Sequence, residues 1–216
     1  MNTEDLKLLA KNLANPDGEK GIEVAEMMNA TNISMTLESI KSMELNPADH
    51  ILEIGHGNAG HLEQLLKQAD NLSYTGLDIS ETMRNEAAEK NKAFRNQAEF
   101  MVYDGRNIPF EDRYFDKIFT VNTLYFWISP LDFLNEIYRV LKDNGAFVLT
   151  FGQKDFMENL PFTSYGFQLY NNNDVQELIS RSEFSEVILT QKEEWIKSKT
   201  GDEPVKRRYT ILTIKK

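Results

Sequence analysis

Cysteine is absent from the sequence, which removes disulfides, thiolate nucleophiles and cysteine-ligated zinc together. Long apolar runs are missing too: no window approaches the ~18 continuous apolar residues of a membrane-spanning helix, and mean hydropathy is -0.48. The N-terminus, Met1-Asn-Thr-Glu-Asp-Leu-Lys7, is polar and acidic, where a secretory signal needs a basic start and an apolar run of about 7–15 residues. The expectation is a cytosolic (cytoplasmic) protein. Basic charge is in deficit, with 24 Lys+Arg against 34 Asp+Glu and a net charge of -10. That balance opposes sequence-independent attraction to phosphate backbones and anionic membranes, so neither nucleic acid nor membrane is an expected partner. The one basic cluster, Lys206-Arg-Arg208, reads as a solvated strand edge.

What is present suits a single large domain over 1–216, since the length is about 1.4 times a 150-residue domain. Apolar residues recur three and four apart in 3–13 (Leu6, Leu9, Ala10, Leu13) and 22–43 (Val24, Met27, Met28, Ile33, Leu37, Ile40), the helical period. A loop is expected at Asn15–Gly21 and a helix break near Asn29–Asn32. From His50 the text changes to short apolar runs alternating with amphipathic stretches, as in a parallel βαβ sheet. Strands are expected at 50–54, 73–77, 98–103, 115–121 and 145–151, with helices at 59–69, 80–91 and 130–142. Asp143-Asn-Gly145 is expected to end the last of these helices, with Gly145 in the left-handed cap. Gly152 to Asn173 has weak periodicity but holds Phe156, Phe162, Tyr165, Phe167 and Tyr170; a helix near 174–182 and strands near 185–190 and 206–214 follow.

The strongest local feature is Ile51-Leu-Glu-Ile-Gly55-His-Gly57-Asn-Ala-Gly60, between a buried strand and a helix. Glycines there let the backbone turn tightly and approach a ligand, while the next helix offers free N–H groups. The spacing alone suits a dinucleotide fingerprint or a plain tight turn. Asp78 ends the second strand, 18 residues beyond Gly60, where a carboxylate can accept from a ribose diol; NAD and S-adenosylmethionine (SAM) both fit. Glu53 separates them, because an acid is unfavourable beside a pyrophosphate and favourable beside an ammonium and a sulfonium.

With these residues in place, the chain from about residue 22 onward resembles the class I SAM-dependent methyltransferases. Phe100-Met-Val-Tyr-Asp104 resembles their third-strand motif, Phe115-Asp-Lys-Ile-Phe-Thr-Val-Asn122 the fourth strand, and Leu134 to Gly145 the helix and turn before the fifth. Asp17 to Asn29 is similar to the helical cap of small-molecule methyltransferases in the broad ubiquinone-biosynthesis-like group. The resemblance implies a doubly wound, Rossmann-like α/β fold, a seven-stranded mostly parallel sheet with the last strand antiparallel. It divides the chain into an N-terminal helical cap (1–45), a cofactor core (46–151), a lid (152–173) and a C-terminal helix and strands (174–216). Cap and lid are expected to flank the C-terminal edge of the sheet from opposite ends.

The resemblance also implies roles. Gly55 and Gly57 pass under the methionine moiety, Glu53 faces its ammonium directly or through water, and Asp78 holds the ribose. Ile79 or Met83 lies against the adenine, Asp104 accepts from its amine, the Gly105 N–H serves a ring nitrogen, and Asn122 fixes the methionine end. Tyr125 and Trp127 after the fourth strand, and Tyr165 and Phe167 in the lid, are the expected acceptor-binding rings. Acceptor selectivity is assigned to the cap and lid. Methyl transfer is an in-line displacement from an activated donor, so positioning supplies most of the rate; His56, Asp155 and Tyr165 are candidate bases, and no spacing singles one out. His56 and His61 lack the further ligands a metal needs. Without an Asn-Pro-Pro-Tyr tetrad, the expected acceptor is a small molecule. The alternatives are a SAM-binding protein that methylates or regulates a protein partner and, further off, an NAD-dependent oxidoreductase.

Overall fold

The computed structural model describes residues 1–197 and 203–216. Helix α1 (Thr3–Ala14) starts at a capping box in which the Asn2 side chain accepts the Asp5 N–H at 2.9 Å and the Asp5 carboxylate accepts the Asn2 N–H at 3.1 Å. Helix α2 (Gly18–Ser42) runs without interruption through Asn29–Asn32, where a break was expected. Tertiary contacts outweigh the weak local propensity there. Thr31 Oγ1 donates back to Met27 O at 2.9 Å, Asn32 is buried, and the Asn29 side chain lies directly against Gly60.

The core alternates β1 (His50–Ile54), α3 (Leu62–Leu66), β2 (Ser73–Asp78), α4 (Glu81–Lys90), β3 (Ala98–Val102), β4 (Phe115–Val121), α5 (Pro130–Val140) and β5 (Leu141–Gly152). Short α6 (Lys154–Met157), α7 (Asn172–Ser180), β6 (Glu186–Lys197) and β7 (Pro204–Lys215) complete the order. The seven strands lie as β3-β2-β1-β4-β5-β7-β6. The pairs β1/β2, β2/β3, β1/β4 and β4/β5 are parallel, while β7 is antiparallel to β5 and β6. This is the expected doubly wound sheet. Period-2 alternation splits the core: Leu52 and Ile54 join Leu134, Ile137 and Ile179 on the α5/α7 face, while Ile51 joins Met35, Leu62 and Leu65 on the α2/α3 face. The strand order reverses between β1 and β4, which places a crevice outside the carboxyl ends of these strands.

Helix α5 ends earlier than expected, at Val140, and Leu141 already pairs with Phe115. Asn144, at φ 65°, takes the left-handed position assigned to Gly145. The expected glycine cap is unnecessary because Lys216 Nζ donates to Tyr138 O and Leu141 O, each at 2.7 Å. The strands β6 and β7 pair along their full lengths, from Glu186 with Lys215 to Lys197 with Pro204. Strand β5, however, accompanies β7 only as far as Gly152 opposite Tyr209. The remainder of the hairpin is a two-stranded arm that leaves the sheet and lies on α2.

Arg207 fastens that arm. It is 3% exposed, donating from Nη1 to Asn32 Oδ1 at 2.6 Å, from Nη2 to Thr31 O at 3.1 Å and from Nε to Glu194 Oε1 at 3.0 Å. The expected solvated edge therefore holds for its half-exposed neighbours Lys206 and Arg208 and not for Arg207, because the twist of the arm turns alternate residues onto the helix. Removing one partner of a buried pair strands the other. Arg207→Ala should lower unfolding free energy in urea by about 3 kcal/mol, whereas Lys7→Ala, which breaks an exposed pair with Glu4, should change it by less than about 0.5 kcal/mol.

Candidate cofactor and acceptor site

Gly55 and Gly57 shape the turn after β1. Gly55 sits at φ 77°, and a Cβ on it would collide with Thr123 of the loop after β4, so the two switch-point loops meet at the thickness of a glycine. Gly57, at φ 53°, has open space where a Cβ would stand. Its N–H donates to Asp78 Oδ2 at 3.0 Å, and Ser80 N–H donates to Asp78 Oδ1 at 2.9 Å. Burial raises the Asp78 pKa above the ordinary carboxylate value, opposed by His56 and the two N–H groups. Each oxygen keeps lone-pair capacity for a further donor.

A cleft of about 170 Å³ opens over this turn, lined by Gly55, Gly57, Asp78, Ile79, Asp104, Gly105 and Asn122. The Asp104 carboxylate accepts Arg106 N–H at 2.8 Å, Asn107 N–H at 2.7 Å and Asn107 Nδ2 at 2.6 Å, which hold its pKa below the ordinary value. Pro16 also reaches the cleft, and its carbonyl accepts Ser80 Oγ–H at 2.5 Å, tying the cap to the cofactor core. A diol at Asp78 and an amine at Asp104 match the donor set that a nucleoside presents.

Two expected cofactor residues do not line this cleft. Glu53 follows the alternation of β1 onto the face of Ile51, where its Oε2 accepts Tyr74 O–H at 2.5 Å and meets His61 Nε2 at 2.7 Å. Met83 is fully buried on the inner face of α4, its N–H donating to the N-cap hydroxyl of Ser80 at 3.0 Å. His56 also turns inward. Its ring lies edge-on to Phe100 at 5.0 Å, its Nδ1 is 2.6 Å from Gly57 O, and its Nε2 has no hydrogen-bond partner among the described residues. Burial lowers the His56 pKa, and because a carbonyl oxygen only accepts, Nδ1 donates to Gly57 O and holds it. The two histidines thus serve separate backbone and carboxylate partners.

A second cavity, of about 50 Å³, adjoins the cleft and shares Leu13, Met28, Asn122 and Phe126 with it. Its remaining wall is almost wholly apolar, with Phe156, Met157, Leu160 and Phe162 from the lid segment and Ile196, Val205 and Arg207 from the hairpin arm. Of the expected acceptor rings, Tyr125 and Phe167 line it, Trp127 lines the cleft instead, and Tyr165 lines neither. Tyr165 packs in the cluster that joins Leu9, Leu13 and Val24 of the cap to Phe162 of the lid. Cap and lid therefore meet over the site, where the sequence reading set them at opposite ends. The arm was missed because its strands were expected to stop at 190 and to begin at 206; Trp195-Ile196 was the available apolar signal.

Residues 52–149 match a family described as a methyltransferase domain. The chain is 27% identical over 124 residues to the uncharacterised methyltransferase YdaC of Bacillus subtilis, covering 57% of this chain and 67% of that protein. It is 31% identical over 117 residues to malonyl-acyl-carrier-protein O-methyltransferase of Marinomonas, covering 54% of this chain and 43% of that protein. The matched region thus spans from 43% to 67% of these relatives' lengths. Among solved structures, phosphoethanolamine N-methyltransferase 2 of Haemonchus contortus, in complex with phosphomonomethylethanolamine and S-adenosylhomocysteine, superposes with a TM-score of 0.72. Its identity is 17%, with 96% of this chain and 60% of that one covered, a likeness of fold.

Two measurements check this geometry. Charge-assisted bonds contribute about 1.5–3 kcal/mol each, so Asp78→Ala should weaken S-adenosylhomocysteine binding at least about tenfold by calorimetry with the circular dichroism unchanged; Asp104→Ala should lose less. For His56 the sign follows from linkage: a histidine with a depressed folded pKa stabilises above its unfolded value, 6.5, and that stability is lost as pH falls below it, at up to about 1.4 kcal/mol per pH unit. Urea unfolding at pH 7.5 and 5.5 should accordingly show a smaller acid loss in His56→Gln than in the wild type.

Proposed function

We propose that this chain acts as a class I SAM-dependent methyltransferase, its residues 52–149 matching a methyltransferase domain, and that it transfers a methyl group to a small, largely apolar molecule held in the cavity beneath Phe167. The observation that carries this reading is the junction of two cavities at Asn122 and Phe126: one that sets the Gly55 and Gly57 turn and the Asp78 and Asp104 carboxylates among apolar side chains, the other walled by rings and aliphatic chains. When bound, SAM supplies a methyl group already activated on a sulfonium. The chain's own task is positional.

In this reading Asp78 accepts the ribose hydroxyls, Asp104 the adenine amine, and the Gly105 N–H serves a ring nitrogen, with Ile79 against the adenine and Asn122 at the methionine end. Glu53 supports the turn from beneath, through Tyr74 and His61, rather than facing the ammonium. Tyr125 and Phe126 border the path between the cavities, where ring faces attract cationic methyl groups, and Met28 and Met157 give adaptable walls. Phe167 closes the acceptor side, its ring 4.7 Å from that of Phe126 and 5.8 Å from that of Tyr125. A cavity of about 50 Å³ holds roughly three to five waters, so admitting an acceptor requires the lid to swing outward. None of the three candidate bases stands at the junction: His56 faces inward, Asp155 pairs with Arg208 at 2.7 Å, and Tyr165 packs in the cap. An acceptor that arrives as a free nucleophile suits such a site. The malonyl and phosphoethanolamine acceptors in the relatives' names differ from each other, so the apolar wall is the better guide.

The first test is cofactor identity. SAM or S-adenosylhomocysteine at about 100 times its dissociation constant should stabilise the fold by roughly 2.7 kcal/mol and raise Tm by roughly 5–10 °C, while NADH should leave it unchanged; the reverse result would overturn the assignment. The second is the acceptor wall. With an acceptor found by screening for S-adenosylhomocysteine release, Phe167→Ala should reduce turnover at least about tenfold, Tyr165→Ala should do less, and cofactor affinity should move less than about threefold in both.

A further inference from the structure

The Tyr125 hydroxyl is buried between two partners. It accepts the Gly152 N–H at 2.6 Å, so its own proton must leave in another direction. Two acceptors are within reach, Asn122 Oδ1 at 2.9 Å and Gly152 O at 3.4 Å, and the nearer one makes the sound bond. With Oδ1 committed there, the Asn122 Nδ2 faces the other way, where one proton meets only the thioether of Met35 at 3.5 Å, a weak acceptor. Flipping the amide would set its oxygen against that sulfur and leave the tyrosine proton with the longer contact. The second amide proton has no hydrogen-bond partner among the described residues.

The backbone of Asn122 is fixed as firmly. It sits at φ 61°, a conformation asparagine tolerates better than most residues, and its N–H donates to Thr150 O at 2.9 Å. Its chain neighbours Val121 and Thr123 line the cofactor cleft alone, whereas its side chain's partners Tyr125 and Gly152 line the second cavity alone. Asn122 itself lines both cavities, so it stands where the two meet. The other polar groups of that wall, Asn32 and Arg207, are turned to each other at 2.6 Å.

We propose that the Asn122 side-chain amide, held in one orientation by Tyr125, donates a hydrogen bond to an oxygen of the methyl acceptor. The acceptor is then an apolar molecule that carries a carbonyl or comparable lone-pair oxygen close to the atom that is methylated. This deepens the methyltransferase reading and rests on it. A lone N–H donor in an apolar wall selects strongly, because a ligand without the matching oxygen leaves it unpaired. Tyr125 is in this scheme a positioning residue, acting through Asn122.

The test uses the full chain saturated with S-adenosylhomocysteine and two probes of nearly the same shape, acetophenone and α-methylstyrene, which differ by a carbonyl oxygen in place of a methylene. The quantity read is the ratio of their affinities by calorimetry or ligand-observed NMR. Tyr125→Phe should lower the acetophenone preference by about three- to tenfold, the range of one neutral hydrogen bond, with the S-adenosylhomocysteine dissociation constant within about threefold of wild type. Asn122→Asp, which keeps the backbone conformation and removes the donor, should lower the preference similarly and carries the test if Tyr125→Phe does not fold. An unchanged ratio in both variants overturns the inference, as does failure of both probes to bind the loaded wild type. So does a Tyr125→Phe loss of cofactor affinity larger than the change in ratio. Failure of S-adenosylhomocysteine to bind the wild type would overturn the methyltransferase reading itself, and this inference with it.

Discussion

The carboxylate of Asp78 takes one backbone N–H from Gly57 and one from Ser80. These donors belong to the turns after β1 and β2, so a single buried group fixes the spacing of two loops that strand pairing alone leaves free. Its charge is disfavoured by burial and sustained by the same N–H groups, which makes turn geometry and ionisation one property. The left-handed φ of Gly57 points its N–H at the carboxylate, and His56 secures the carbonyl of the same residue. One layer below, Glu53 binds Tyr74 of β2 and His61 ahead of α3. Hydrogen bonds of the buried acids Asp78 and Glu53 thus hold the turns on which the cleft opens.

The second cavity is built by a different method. Its wall comes from side chains of α1, α2, the lid and the hairpin arm, and these pieces hold one another through the Phe162 cluster and the Arg207 contacts. A change in a lining residue of the lid or the arm therefore alters the room available at a distance from the backbone turns after β1 and β2. This separation of a fixed core from a replaceable cover lets one fold serve many acceptors.

Much of the core was legible in the sequence because each feature had a local cause. The glycines at 55 and 57 announced a turn, Asp78 and Asp104 stood at or just past strand ends, and short apolar runs marked β1 to β4 to within about one residue. Glu53 was weighed by its motif position, whereas its parity with Ile51 sets it on the α2/α3 face against Tyr74 and His61. Of Ile79 and Met83, the two residues offered for the adenine, Ile79 lines the cleft and Met83, third in the helix capped by Ser80, is buried. The continuity of α2, the meeting of cap and lid, and the burial of Arg207 depend on contacts between residues far apart in the chain, such as Asn32 with Arg207. No local pattern encodes such a contact.

The same separation in sequence bears on how the molecule is assembled. Strands β1 to β5 and their helices pair near neighbours, so during synthesis the sheet can collect itself as each βα unit emerges. The arm that seals the acceptor cavity closes a loop of more than a hundred and fifty residues, between Asn32 and Arg207, an entropic cost met only after the intervening chain is ordered. Loop closure thus favours completion of the cleft at the carboxyl ends of β1 to β4 before that of the cavity the arm seals.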